Sequence, residues 1–192
     1  MNSYLAQPFI FIVQTTLGLY CTIAMLRFLL QIVRADFYNP ISQFIITVTK
    51  LPLWYLRQII PGIGGMDTAS LVLAWLIKTC ELFLIILLLG GGINMIGAAF
   101  LWAIPQLIEL GLNIFLVAIL IEVIFSWINY PGMNNPAANI AYNLSEPVVK
   151  QVRWLLPDMA GIDFSPMLAS MILMLIQMLL IPPLKTLTGS PF

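Results

Sequence analysis

The chain has 192 residues, of which 61% are hydrophobic and 8% charged, with eight basic and eight acidic residues and no histidine. At a mean hydropathy of +1.01 it holds more apolar side chain than a soluble domain can hide, because such domains usually carry about 25% charged residues and keep roughly 30% of their surface exposed. The charge balance excludes a basic nucleic-acid surface, and the missing histidine excludes His-ligated haem, His-based zinc and Ser-His or Cys-His catalysis.

The composition predicts an all-α integral membrane protein whose first partner is the lipid bilayer. The first apolar stretch covers residues 8–33. No Lys or Arg precedes it, and Arg27 falls near its end, so it reads as a retained transmembrane helix and not as a cleaved signal. Gln14 and Arg27 interrupt it. Residues 34–67 come next and are polar-flanked. Gln43, Thr47, Lys50 and Arg57 recur at helical spacing there, the pattern of a helix lying in the membrane interface. Pro52 predicts a kink or a split into two short pieces.

The second span is expected over 68–92 and contains "WLIKTCELFLII", with Lys78 and Glu81 in mid-run. Residues 90–105, "GGGINMIGAAFLWAIP", stay apolar. Their glycines and Pro105 suggest a tight turn or a short interfacial piece. A lengthened neighbour or a fifth membrane segment stays open. The third span, 105–128, carries Glu109 and Glu122. A second amphipathic segment, 129–163, repeats the polar stripe as Asn139, Asn143, Glu146, Lys150 and Arg153, with Pro147 as its breaker. The fourth span, 164–184, has Gln177 as its one deep amide. In "GIDFSPM" Ser165 is placed to cap and Pro166 to take the first helical position. Asp67 and Asp163 read as caps and turn residues, with Gly64, Gly65 and Gly161 allowing a tight re-entry into the spans. Cys21 and Cys80 both lie in apolar runs without CxxC spacing and read as buried small hydrophobes.

The two halves echo each other at an offset of 96 residues. Asn39-Pro40 returns as Asn135-Pro136. "RQIIPGIGGMD", with Arg57, Pro61 and Asp67, returns as "RWLLPDMAGID", with Arg153, Pro157 and Asp163. The chain is therefore expected to be two copies of one unit, 1–96 and 97–192, each a span, an interfacial amphipathic segment and a span. An even number of spans per unit inserts both copies the same way up, giving parallel repeats about an axis along the membrane normal. The amphipathic segments hold Arg34, Lys50, Arg57, Lys150 and Arg153, against Lys185 on the other side. The positive-inside rule then places both segments in the cytoplasm and both termini across the membrane.

This pattern resembles the YGGT-repeat family, known in bacteria as YggT or YlmG proteins, with relatives in plastids. The residues that carry the resemblance are "SWINYPGMNNP", "LSEPVV" and "PDMAGIDFSP" in the second copy. In the first they are "RFLLQ", Asn39-Pro40, "TKLP" with Pro52, and "PGIGGMD". The chain departs from the family pattern in having Glu122 where the first copy has Arg27, and in lacking Ser-Trp and Ser-Pro in the first copy. The resemblance implies a multi-pass protein of the bacterial inner membrane. It also implies links to osmotic-shock tolerance, to division-associated membrane organisation and, in plastids, to nucleoid and cytochrome complex biogenesis. It brings no agreed reaction.

The intramembrane polar residues largely pair between copies. Glu81 falls on Gln177 at an offset of 96, while Arg27 falls on Glu122 and Gln14 on Glu109 at 95. Lys78, opposite Met174, is unmatched. Lys78 and Glu81 are three apart on one helix face, and a lone charge at that depth costs roughly 2.5–3.5 kcal/mol. They are expected to face the bundle interior and pair, and Arg27 to pair with Glu122 across the pseudo-twofold. Three readings of these residues stand: polar glue between helices, a polar path or relay through the bundle, and snorkelling near the interface. Glu109 and Glu122 point roughly 140° apart and do not line one face. No polar residues converge convincingly on one point, and no metal cluster, nucleophile–base pair or cofactor fingerprint is present. The expectation is a non-enzymatic protein without cofactors that organises or supports membrane complexes through its amphipathic segments. Its partner is a membrane protein or a second copy. A small ion channel or transporter component under osmotic stress is the alternative.

Overall fold

A computed structural model describes residues 3–62, 65–128, 135–154 and 163–191, with side chains from residue 6 onward. Six α-helices follow one another: α1 (Ser3–Ile32), α2 (Pro40–Ile59), α3 (Thr68–Leu88), α4 (Ile96–Ile128), α5 (Pro136–Arg153) and α6 (Ser165–Thr188). Among the described residues, four helices are long and apolar enough to cross a membrane, namely α1, α3, α4 and α6. The interfacial helices α2 and α5 join the spans within each repeat, as the duplicated sequence requires. The repeat motif residues Pro157, Gly64 and Gly161 lie outside the described residues.

The open question over residues 90–105 resolves into a turn and a longer helix. Gly90 takes a left-handed φ of 89°, and the Gly91 N–H donates to Ile86 O at 2.8 Å. That closure caps the last carbonyls of α3 where a side chain at Gly90 would be strained. A short 3-10 turn (Ile93–Met95) follows, and α4 starts at Ile96 with Pro105 inside it. Among the described residues no fifth crossing is formed.

Both interfacial helices begin the same way. Asn39 Oδ1 accepts the Ile41 N–H at 2.9 Å, and Asn135 Oδ1 accepts the Ala137 N–H at 3.0 Å. Pro40 and Pro136 open the two helices, where their missing N–H costs nothing. Of the kink or split expected at Pro52 and Pro147, the split is absent, and each helix is continuous. Packing on both sides of the proline accounts for this. Ile45, Thr49 and Leu53 are buried along one stripe of α2, and Leu144, Val149 and Val152 along one stripe of α5. Such burial outweighs the roughly 3 kcal/mol that an interior proline costs. Gln43, Thr47, Lys50 and Arg57 are exposed on α2.

The start of α6 corrects one expectation. Ser165 is the first residue of the helix and does not cap it. Asp163 takes that part, its Oδ1 accepting the Ser165 N–H at 2.8 Å. Asp67 precedes α3 without a side-chain cap bond, because its carboxylate is engaged elsewhere.

The two repeats stand the same way up. Asn39 Nδ2 donates to Pro136 O at 2.8 Å, tying the start of α2 to the start of α5 at one end of the spans. The spans form an open row. α1 packs on α3, α3 on α4 and α4 on α6, and α1 also touches α4, while α1 and α6 do not meet among the described residues. Accordingly, in the most apolar windows of α1 and α6 only 17% of residues are buried, against 39% in α3 and 28% in α4. Close approach within the row relies on small residues, as in lipid it must. Cys21 and Ala24 lie buried in one cluster with Ala74, and a Cβ on Gly111 would come within 3.0 Å of Met25 Cε. Cys21 is thus a buried small residue, as expected. Cys80 is exposed, since it points outward between the buried Thr79 and Glu81.

Candidate functional site

Lys78 and Glu81 sit at the middle of α3, three residues apart, and meet each other. Lys78 Nζ lies 2.8 Å from Glu81 Oε2, with the two side chains 12% and 7% exposed. Gly18 of α1 backs the pair, and a Cβ there would stand 3.8 Å from Glu81 Oε2. A second pair joins α4 to α6: Lys185 Nζ lies 2.9 Å from Glu109 Oε2, both about one-third exposed. The helix α6 carries Lys185 inward because it runs through Pro182 and Pro183 to Thr188.

These pairs line one cleft of about 350 Å³, together with Gln14, Gln106 and Asn113. The expectation that no polar residues converge is therefore corrected: α1, α3, α4 and α6 all contribute to it. Gln177 lies on an adjoining hollow of about 420 Å³ that shares Glu109 and Lys185. Lys185, Gln106 and Asn113 are not among the site residues expected from the sequence. Gln106, Glu109 and Asn113 follow helical spacing, which is a legible signal. Lys185 carries no such signal, since it lies past the apolar run.

Below the cleft the character changes. Leu110 and Asn113 also border a cavity of about 340 Å³ between α1, α4 and α5, walled by Leu26, Ile114, Val117 and Leu144. The groove between α1 and α4 is thus polar in one half and apolar in the other. Val117 and Asn113 are exposed along it, so it opens sideways.

Arg27 and Glu122 do not pair with each other. Each is held within its own repeat by the interfacial helix below it. Arg27 Nη1 donates to Thr49 Oγ1 at 2.5 Å and to Ile46 O at 3.0 Å, and its Nε lies 4.0 Å from Asp67 Oδ2. Glu122 lies beside Ser145, the counterpart of Thr49, with Glu146 near it. The Oε2 atoms of Glu122 and Glu146 are buried and have no hydrogen-bond partner among the described residues.

The motif arginines and aspartates form matching bridges. Arg57 Nη2 donates to Asp67 Oδ2 at 2.5 Å, and Arg153 Nη2 to Asp163 Oδ2 at 3.0 Å. Each clamps the end of an interfacial helix to the start of the following span. The Asp163 carboxyl is held below the usual range, first by the Ser165 hydroxyl and further by the Ser165 N–H and Arg153. Pro61 O accepts the Thr68 hydroxyl at 2.8 Å across the same junction in the first repeat.

The CCB3/YggT family model matches residues 6–88 and 101–184, one copy in each repeat. An uncharacterized protein of Pseudomonas aeruginosa is 48% identical over 183 residues, covering 95% of this chain and 92% of that protein. The uncharacterized protein YggT of Escherichia coli K12 is 36% identical over 174 residues, covering 88% and 86%. An uncharacterized protein of Haemophilus influenzae is 35% identical over 173 residues, covering 90% and 91%. No solved structure matches the chain.

Proposed function

We propose, from the premise that this chain belongs to the CCB3/YggT family, that it is a non-enzymatic scaffold that docks and supports other membrane proteins. The carrying observation is the laterally open groove between α1 and α4, polar beside Lys78–Glu81 and apolar beside Val117 and Leu144. Polar side chains at membrane depth, such as Gln14 and Asn113, stay favourable only against a polar partner or water. A transmembrane helix that is polar in one half and apolar in the other fits both requirements. That helix belongs to a partner or to a second copy.

A photo-reactive residue at Asn113 tests this in the intact membrane. The expected result is a discrete cross-linked product, with none from Leu179 on the outer face of α6. Cross-linking to lipid alone at both positions would reject the scaffold.

The rival reading is a small channel or transporter component, favoured by the polar cleft itself. The apolar lower half opposes it, because an ion there would lose its hydration with few ligands in return. Ion flux in proteoliposomes that disappears in Glu81→Ala would establish the rival. Loss of osmotic-shock tolerance in Glu81→Gln at unchanged abundance would likewise reject a purely structural role for the pair.

We place the protein in the bacterial inner membrane, with α2 and α5 cytoplasmic. Arg34, Lys50, Arg57, Lys150 and Arg153 lie at that end, against Lys185 at the other. Protease removal of an N-terminal tag from the periplasmic side checks the orientation.

A further inference from the structure

A second cavity, of about 130 Å³, lies at the opposite end of the first repeat, where α1 meets α2. Arg27, Gln31, Phe37, Ser42 and Arg57 line it. Ser42 is 4% exposed, and its Oγ has no hydrogen-bond partner among the described residues. A buried hydroxyl left in that state is unfavourable unless something fills the cavity and bonds it. The charge here is unbalanced as well. Two guanidiniums, of Arg27 and Arg57, face the single carboxylate of Asp67. Arg57 gives Asp67 its Nε and Nη2, which leaves Nη1 outside that bridge. Ser42 is in the first turn of α2, where the helix dipole is positive.

We propose that this cavity binds a phosphate group, held by Arg57 and Arg27 and by the Ser42 hydroxyl. A phosphate offers acceptors only, which is what two guanidiniums and an unpartnered hydroxyl require. The depth suits a lipid headgroup, because the cavity sits where α1 ends, and Phe37 beside it is 57% exposed. A free phosphate carries the same chemistry. The second repeat lacks two of these residues. Ala138 stands in place of Ser42 at the 96-residue offset and Glu122 in place of Arg27 at 95.

The test uses the full chain purified in mild detergent, with phosphatidylglycerol, phosphate-free diacylglycerol and inorganic phosphate as probes. Native mass spectrometry is expected to show phosphatidylglycerol retained about tenfold over diacylglycerol, the worth of one charge-assisted contact. Arg57→Gln should remove that preference. Arg153→Gln, which breaks the matching bridge of the second repeat, should leave it intact. Ser42→Ala deletes only an unpartnered hydroxyl, so it should fold normally and weaken retention several-fold. A rise in Tm with inorganic phosphate, without lipid preference, assigns the site to a free anion. The proposal is overturned if neither probe binds selectively. It is also overturned if Ser42→Ala binds as wild type, or if Arg153→Gln loses as much as Arg57→Gln.

Discussion

The two repeats share a frame and differ in what the frame encloses. In both, an asparagine caps the interfacial helix and an arginine at its end grips the aspartate before the next span. These contacts lie 96 residues apart and have been kept in kind. Where the first span of each repeat meets its interfacial helix the sign is reversed. Arg27 rests on Thr49, whereas Glu122 sits beside Ser145. In the second spans, Lys78 and Glu81 of α3 face Met174 and Gln177 of α6 in the repeat alignment. Contacts that set the path of the backbone were duplicated, and the buried polar positions between them diverged. A duplicated unit can specialise in this way, because side chains enclosed by a fixed frame change without moving it.

The largest test of that difference is Lys78→Ala. It strands the Glu81 carboxylate, which is 7% exposed, and should cost about 3–5 kcal/mol, read as lost abundance and a lower unfolding temperature in detergent. Glu81→Gln should remain inserted and stable. The double change Lys78→Met with Glu81→Gln gives α3 the residues of α6 at these positions and should recover most of the loss. A double variant no better than Lys78→Ala would mean that the pair does more than neutralise itself.

Next comes the reversed station. Arg27→Gln removes charge-assisted bonds to Thr49 and Ile46 and should destabilise by about 1.5–3 kcal/mol. Glu122→Gln removes the charge of a carboxylate whose buried Oε2 has no hydrogen-bond partner among the described residues, and should be neutral or stabilising by up to about 1 kcal/mol. Equal losses at both positions, measured by thermal unfolding, would erase the distinction between the repeats.

The caps give a smaller contrast. Asn135→Ala should cost about 1 kcal/mol. Asn39→Ala should cost about twice that, because Asn39 also donates to Pro136 O across the repeats. Helix content and unfolding temperature of the two variants, compared side by side, decide it.

The smallest effect belongs to the second bridge. Arg153 and Asp163 are 45% and 47% exposed, so Arg153→Gln should cost under about 1 kcal/mol. Asp67 in the first bridge is only 8% exposed, and Arg57→Gln should cost more. The depressed Asp163 pKa adds a pH signature. Its stabilisation is fully present above the ordinary aspartate range and is lost as the pH falls through the lower folded value. Asp163→Asn should flatten that part of the acid-stability profile.

Much of this was legible in the sequence. Span number, repeat offset and parallel sense follow from apolar run length, motif spacing and the parity of crossings. Lys78 and Glu81 had to meet because they share a helix face at a depth where single charges are costly. The asparagine caps and the Arg–Asp pairs were visible as repeated residues, although their bonding was not. Of the kink or split expected at Pro52 and Pro147 the split does not occur, because packing on either side of each proline holds the helix together, which local propensity does not count.

The amino-acid sequence alone determined a duplicated, lipid-embedded frame, because hydropathy and periodicity act along the chain. Only the tertiary structure decided that the spans make an open row, that Lys185 reaches back to Glu109, and that Arg27 and Glu122 stay apart. Those outcomes depend on which helices touch. In lipid that choice is made by small residues such as Ala74 and Gly111 and by a few polar bonds, which no single-helix pattern encodes.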